Sequence, residues 1–108
     1  MNNEAIKKIA ENNGFDEASR QLMEEVGELI VALNKYYRNE KENLKAEVVD
    51  WEKVADLEIN IAEEIADVTI MLFQIKYLLQ ISETDIEQII EQKLNRQLER
   101  IGADERKS

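Results

Sequence analysis

Apolar residues recur along this chain at intervals of three and four. Leu22, Val26, Leu29, Ile30 and Leu33 form one such stripe, Ile61, Ile65, Val68, Leu72, Ile75 and Leu79 a second, and Ile86, Ile89, Ile90, Leu94, Leu98 and Ile101 a third. Spacing of this kind buries one face of an amphipathic helix. A short first helix is expected from Asn3 to about Glu11, stopped at Asn12-Asn13-Gly14, where Gly14 can take the left-handed conformation of a helix end. A second helix then runs from about Asp16 to Arg38. The polar, weakly periodic segment Asn39 to about Asp56 reads as a linker with a turn or two of helix around Trp51 to Val54. The third helix spans about Leu57 to Gln80. Ser82-Glu83-Thr84-Asp85 offers capping hydroxyls followed by first-turn carboxylates, so a fourth helix starts there and ends at Gly102. Residues 103–108 are expected to fray.

Composition strengthens the helical reading and narrows the chemistry. The 108 residues contain no Pro and three Gly, with Glu, Lys, Leu, Ile, Ala and Gln prominent, which predicts an all-α single domain, 1–108. There is no His and no Cys. That excludes Ser-His-Asp and Cys-His nucleophilic machinery, disulfides, Cys/His zinc sites and two-His iron sites. Catalysis must run on carboxylates, amines, guanidinium groups, hydroxyls or a hard cation. The net charge of −10, from 24 acidic against 14 basic residues, disfavours general nucleic-acid binding. No membrane partner is expected either: no stretch approaches an apolar span of roughly 18 residues, and the N-terminal segment lacks the apolar run of a signal peptide, so a cytoplasmic location is the expectation. A lone helical domain of this size covers its core with difficulty, so a homodimer or tetramer is expected.

The informative residues are acidic ones on the wrong side of a helix. At about 100° per residue, with Leu22 at zero, the stripe of the second helix occupies an arc from about 340° to 80°. Glu25 falls at about 300°, on the border of that arc, Glu28 at about 240°, and Glu24 at about 200°, on the solvated side. In the third helix, with Ile61 at zero and Met71 and Leu78 widening the stripe, Glu64 falls at about 300° among apolar residues and Asp67 at about 240°. A buried carboxylate without a partner costs several kcal/mol or takes up a proton, and four close together repel one another. Two antiparallel helices carrying ExxE and ExxD can instead present four carboxylates to one cation, and an all-oxygen set suits Mg²⁺ or Mn²⁺. One ExxE pair in so acidic a chain signifies little; the matching pair on a second helix is what raises the signal.

The segments EEVGEL, Glu24 to Leu29, and EEIADV, Glu63 to Val68, resemble the EExxE and ExxD signatures of the MazG-like, all-α nucleoside triphosphate pyrophosphohydrolases. The resemblance extends from roughly Gly14 to Ile101. It implies a four-helix, antiparallel bundle-type protomer assembled as a dimer or a tetramer of dimers, which uses Mg²⁺ to cleave nucleoside triphosphates to monophosphate and pyrophosphate. It implies Glu25, Glu28, Glu64 and Asp67 as metal ligands. The family's K-x3-N-x2-R pattern on the last helix reads Lys93, Gln97 and Arg100 here, with Gln97 in place of Asn, and the spacer between Glu28 and Glu64 is long for the family.

Lys93, Arg96 and Arg100 share a helical face and are the candidates for substrate phosphate; Lys35, Arg38 and Lys53, beside the spacer, come next. Glu24 is a candidate for activating water. For a base or sugar pocket the candidates are Phe15 and Trp51, each at or near a loop, with Gln21, Asn34 and Gln97 as polar readers. The alternative is a non-enzymatic acidic helical protein, antitoxin-like or a nucleic-acid mimic, addressing a basic surface. A mimic needs its acids outside, so the place of Glu64 separates the two readings. A di-iron bundle would need a Glu-x-x-His motif that the chain lacks.

Overall fold

The computed structural model describes residues 1–107, which form three helices and no strand: α1 (Asn3–Asn43), α2 (Trp51–Leu78) and α3 (Glu83–Lys107). The all-α expectation is met, with shifted boundaries. The two helices expected before Arg38 are both present: α1 is two helical segments that meet at a kink at Gly14, whose φ of 80° and ψ of 173° are not helical. A conformation of that kind is open essentially to glycine alone. α1 also runs past Arg38 to Asn43. Asn39 is buried and its side-chain oxygen accepts from Asn43 Nδ2 at 3.1 Å, so two amides that look like linker hold the last turn together.

The expected linker shrinks to residues 44–50, because α2 starts at Trp51 instead of Leu57. Asp50 caps it: its Oδ1 accepts from the Lys53 backbone N–H at 3.1 Å. α2 ends at Leu78, and Gln80 turns the chain with a positive φ of 57°. Ser82 Oγ caps α3 by accepting from Asp85 N–H at 3.2 Å, as its sequence predicts. α3 continues through Gly102 to Lys107; of the tail expected to fray, 103–107 are helical and Ser108 lies outside the described residues.

Met1–Leu78 make one compact unit, and the residues from Leu79 onward a second. In the first, α1 and α2 pack as an antiparallel hairpin: Glu11 meets Tyr77 through a hydrogen bond from the phenol, Glu28 lies beside Glu64 and Asn60, and Asn39 beside Val54. The seam uses small residues: Ala10, Ala18 and Ala32 are fully or almost fully buried, together with Ile6 and Met71, which lets the helices approach closely. On the wheel, Ala18, Ala32 and Leu29 lie at about 280° to 340°, so the seam is centred on Glu25, not on the apolar stripe. Val26, Ile30 and Leu33, expected to face the core, are exposed instead, Ile30 by 54%. The α2 seam is centred likewise on Glu64, leaving Ile65 and Leu72 outside. Two helices bury only a narrow line of contact, so the wider stripe remains uncovered. In the second unit α3 has no buried residue. No single helix among the described residues is long and apolar enough to cross a membrane.

Candidate metal centre

Three of the four acidic candidates meet. Glu25 and Glu28 stand one turn apart on α1, Glu64 projects from α2, and each offers a carboxylate oxygen lying within 4.8 Å of the others. Glu25 and Glu64 are half-buried and Glu28 is exposed, so the cluster is open on the Glu28 side. Asp67, exposed and one turn beyond Glu64, is outside that close group, but its charge is felt by both Glu25 and Glu64.

The electrostatics follow from this arrangement. Loss of hydration, then the neighbouring charges of Glu28 and Asp67, push the Glu25 carboxyl up to about 7 from an ordinary 4.5. The same causes, in the same order, raise Glu64. One oxygen of each, Oε2 of Glu25 and Oε2 of Glu64, is buried with no hydrogen-bond partner. Buried polar atoms are nearly always paired, and leaving one unpaired costs about 1–3 kcal/mol or more. The hairpin thus holds oxygen donors whose charge is uncompensated by the protein. Oxygen-only donors of this kind suit a hard divalent cation better than a soft one.

A cleft of about 440 Å³ opens over the cluster, lined by Glu24, Gly27, Glu28, Val31, Ala32, Lys35, Asn60 and Glu64. Glu24 reaches this cleft while Oε1 takes a hydrogen bond of 2.8 Å from Arg20 Nη1. Gly27 lies in its wall, and a Cβ built there meets nothing within 4 Å. Helix contact within the hairpin therefore does not account for this glycine.

A comparison with protein-family models, curated proteins and solved structures finds no match to this chain.

The remaining candidates are dispersed. Lys93, Arg96, Gln97 and Arg100 surround a depression of about 160 Å³ on α3, in the second unit. Trp51, 73% exposed, borders a groove of about 300 Å³ with Tyr36, Asn39, Asn43, Val49 and Val54. Phe15 is exposed beside the Gly14 break. Gln21 is half-buried and donates to Glu17 Oε1 at 3.2 Å, so its amide is engaged along its own helix. Asn34 is exposed and lines none of these grooves. Sequence reasoning missed Asn60 in the cleft wall and Asn39 beside Trp51, whereas Tyr36, a further stacking candidate among the aromatic residues, does lie beside Trp51. The signal for Asn60 was there, since it precedes Glu64 by four residues and shares its helix face.

Proposed function

We propose that this chain is a Mg²⁺-dependent nucleoside triphosphate pyrophosphohydrolase, cleaving (d)NTP to (d)NMP and pyrophosphate in nucleotide-pool housekeeping. The observation that carries this reading is the convergence of Glu25, Glu28 and Glu64, with two buried and unpartnered carboxylate oxygens, beside a cleft. The signature resemblance of EEVGEL and EEIADV supports it. So does the lack of His and Cys, since phosphoryl chemistry relies on positioning and electrostatics more than on a covalent nucleophile. An acidic mimic would carry its carboxylates outward; Glu25 and Glu64 sit on the seam between two helices.

In this reading Glu25, Glu28 and Glu64 hold the cation and Asp67 adds charge. When bound, Mg²⁺ supplies positive charge to phosphate oxygens and acidity to water. Glu24 is the candidate to receive the proton of the attacking water: it lines the cleft, and Arg20 donates to one of its oxygens. The resemblance implies Lys93, Arg96 and Arg100 on α3 as contacts to substrate phosphate.

The bundle and its assembly belong to the same proposal. Val26, Ile30, Leu33 and Tyr37 on α1 and Ile65 and Leu72 on α2 leave an apolar face uncovered. Covering such a face stabilises by about 25 cal/mol per Å², and a second copy of the chain would do so in a homodimer or tetramer. Light scattering at micromolar concentration should give a multiple of 12.6 kDa; the mass of one chain would refute assembly.

The test of activity is a panel of ribo- and deoxyribonucleoside triphosphates with Mg²⁺ or with EDTA, scored for pyrophosphate. Release with at least one nucleotide, abolished by EDTA, is expected. No hydrolysis of any of them at high protein concentration overturns the enzyme reading and favours the acidic-partner one.

A further inference from the structure

The cleft over the carboxylates does not end at Lys35. That residue also lines a second depression of about 290 Å³, formed with Arg38, Asn39, Glu42, Lys53 and Leu57. On α2 the residues facing the two depressions are Glu64, Asn60, Leu57 and Lys53, at successive intervals of four, three and four, and so lie on one helix face. On α1, Glu28 and Lys35 stand seven residues apart, two turns along one face. A groove follows the hairpin, acidic at Glu28 and Glu64, basic at Lys35, Arg38 and Lys53.

Net charge is −10, so three cations around one depression run against the chain's overall sign. Some cations elsewhere are engaged locally: Arg20 with Glu17 and Glu24, Lys7 with Glu4, Lys41 over the Tyr37 ring. Lys35, Arg38 and Lys53 make no ion pair among the described residues, although Glu42 shares their depression. They come from two helices and converge on one groove. A merely solvated set would have no reason to converge.

Length indicates what fits. Seven residues from Glu28 to Lys35 correspond to about 10 Å of helix, and eleven from Lys53 to Glu64 to about 16 Å. One compact anion cannot span both ends. A chain of linked phosphates reaches further than one compact anion, and the long, flexible Lys and Arg side chains can extend along the groove to meet it, with its reacting end at the carboxylates and its remaining charge against amines and a guanidinium fork. We propose that the α1–α2 groove is a polyphosphate channel in which Lys35, Arg38 and Lys53 bind the phosphate chain of the substrate. The proposal rests on the pyrophosphohydrolase reading for the identity of the substrate, and on the groove itself for the anion.

The probe is inorganic triphosphate, titrated calorimetrically into the full chain at low salt, once in EDTA and once with Mg²⁺. The triple variant Lys35→Ala/Arg38→Ala/Lys53→Ala should bind at least tenfold more weakly than wild type in whichever medium wild type binds, and Lys35→Gln alone a few-fold more weakly. Lys8→Ala, an exposed cation remote from the groove in sequence, should bind as wild type does. Wild-type binding should also weaken with added salt, since exposed charges are screened. All three substituted residues are exposed, and retention of the wild-type circular dichroism spectrum and melting temperature excludes misfolding as the cause. Equal affinity of wild type and triple variant, or no binding by wild type in either medium, overturns the channel. If the binding defect is found but no nucleotide is hydrolysed, the channel stands and the enzyme reading falls. Hydrolysis accompanied by unchanged triphosphate affinity in the triple variant overturns the channel alone.

Discussion

The acidic site of the α1–α2 hairpin and the basic face of α3 are built in opposite ways. The acidic site of the hairpin needs two helices: Glu25 and Glu28 come from one, Glu64 from the other, and the seam between them removes water from two carboxylates. The basic face of α3 needs only one, because Lys93, Arg96, Gln97 and Arg100 are neighbours by helical spacing, and all four are exposed. Charges pressed together against a seam acquire altered proton affinity and unpaired atoms; charges spaced along an exposed helix keep their water. The difference is one of environment: the hairpin carboxylates have lost part of their hydration, whereas the basic side chains of α3 have kept theirs.

The comparison breaks most visibly at the carboxylates. Glu64→Gln or Glu25→Gln should reduce Mg²⁺-dependent pyrophosphate release at least a hundredfold, equivalent to about 2.7 kcal/mol, while Glu63→Gln, exposed on α2, should change it less than threefold. Neither seam variant should melt lower in EDTA, because each removes a repelled charge. Wild-type turnover in Glu64→Gln would dissolve the site.

Two glycines sharpen the contrast between backbone and site. Gly14→Ala forces a side chain into a conformation that costs about 1–3 kcal/mol, and a drop of about 4 °C or more in melting temperature is expected, with the cluster intact. Gly27→Ala should act in the opposite sense on stability, gaining about 1 kcal/mol of helix propensity with no clash, yet lower turnover by adding a methyl group to the cleft wall. Differential scanning fluorimetry and pyrophosphate release, measured on both variants, check this pairing.

On α3 a tenfold loss in kcat/KM, about 1.4 kcal/mol, is expected for Lys93→Ala, with kcat lowered as well as KM raised if the amine follows the transferring phosphate. Lys107→Ala, in the last turn of the same helix, makes the same charge change and should do neither. Should both variants stay within twofold of wild type, the phosphate contacts belong to the hairpin groove alone.

The smallest expected effect is a slope. Glu25 titrates near 7 in the folded protein and near its ordinary 4.5 when unfolded, so the native state holds a proton that the unfolded chain has lost between those values. The stability this contributes is complete below about 4.5 and disappears as pH rises through 7. Glu64 acts in the same direction. The melting temperature in EDTA should therefore fall between pH 5 and pH 8, less steeply in Glu25→Gln, whereas Mg²⁺, which requires the deprotonated carboxylates, should raise it most at the high end. Glu17, whose carboxyl is lowered by hydrogen bonding to Arg20, loses its contribution only below that window. A flat profile in EDTA would contradict the raised proton affinity.

Much of this was legible in the sequence itself. Three-and-four spacing and the absence of proline dictate helices, Ser82 dictates where α3 begins, and two acidic pairs near apolar arcs mark Glu25 and Glu64, because periodicity and capping are local properties that neighbours along the chain decide. Other boundaries were also local but concealed: Asp50 caps α2 inside a stretch that looks like linker, and Asn39 and Asn43 extend α1 by pairing with each other. What tertiary structure alone decided is which meridian of each helix faces the other. The seam follows alanines and runs through Glu25 and Glu64, not along the large apolar residues, because close approach of two helices favours small side chains, and bulk at Ile30 or Leu33 is left for another surface. From that choice come the tight group of three carboxylates with Asp67 just outside it, the orphaned oxygens, and the meeting of Lys35 and Arg38 with Lys53 across a gap that no spacing within one helix can predict.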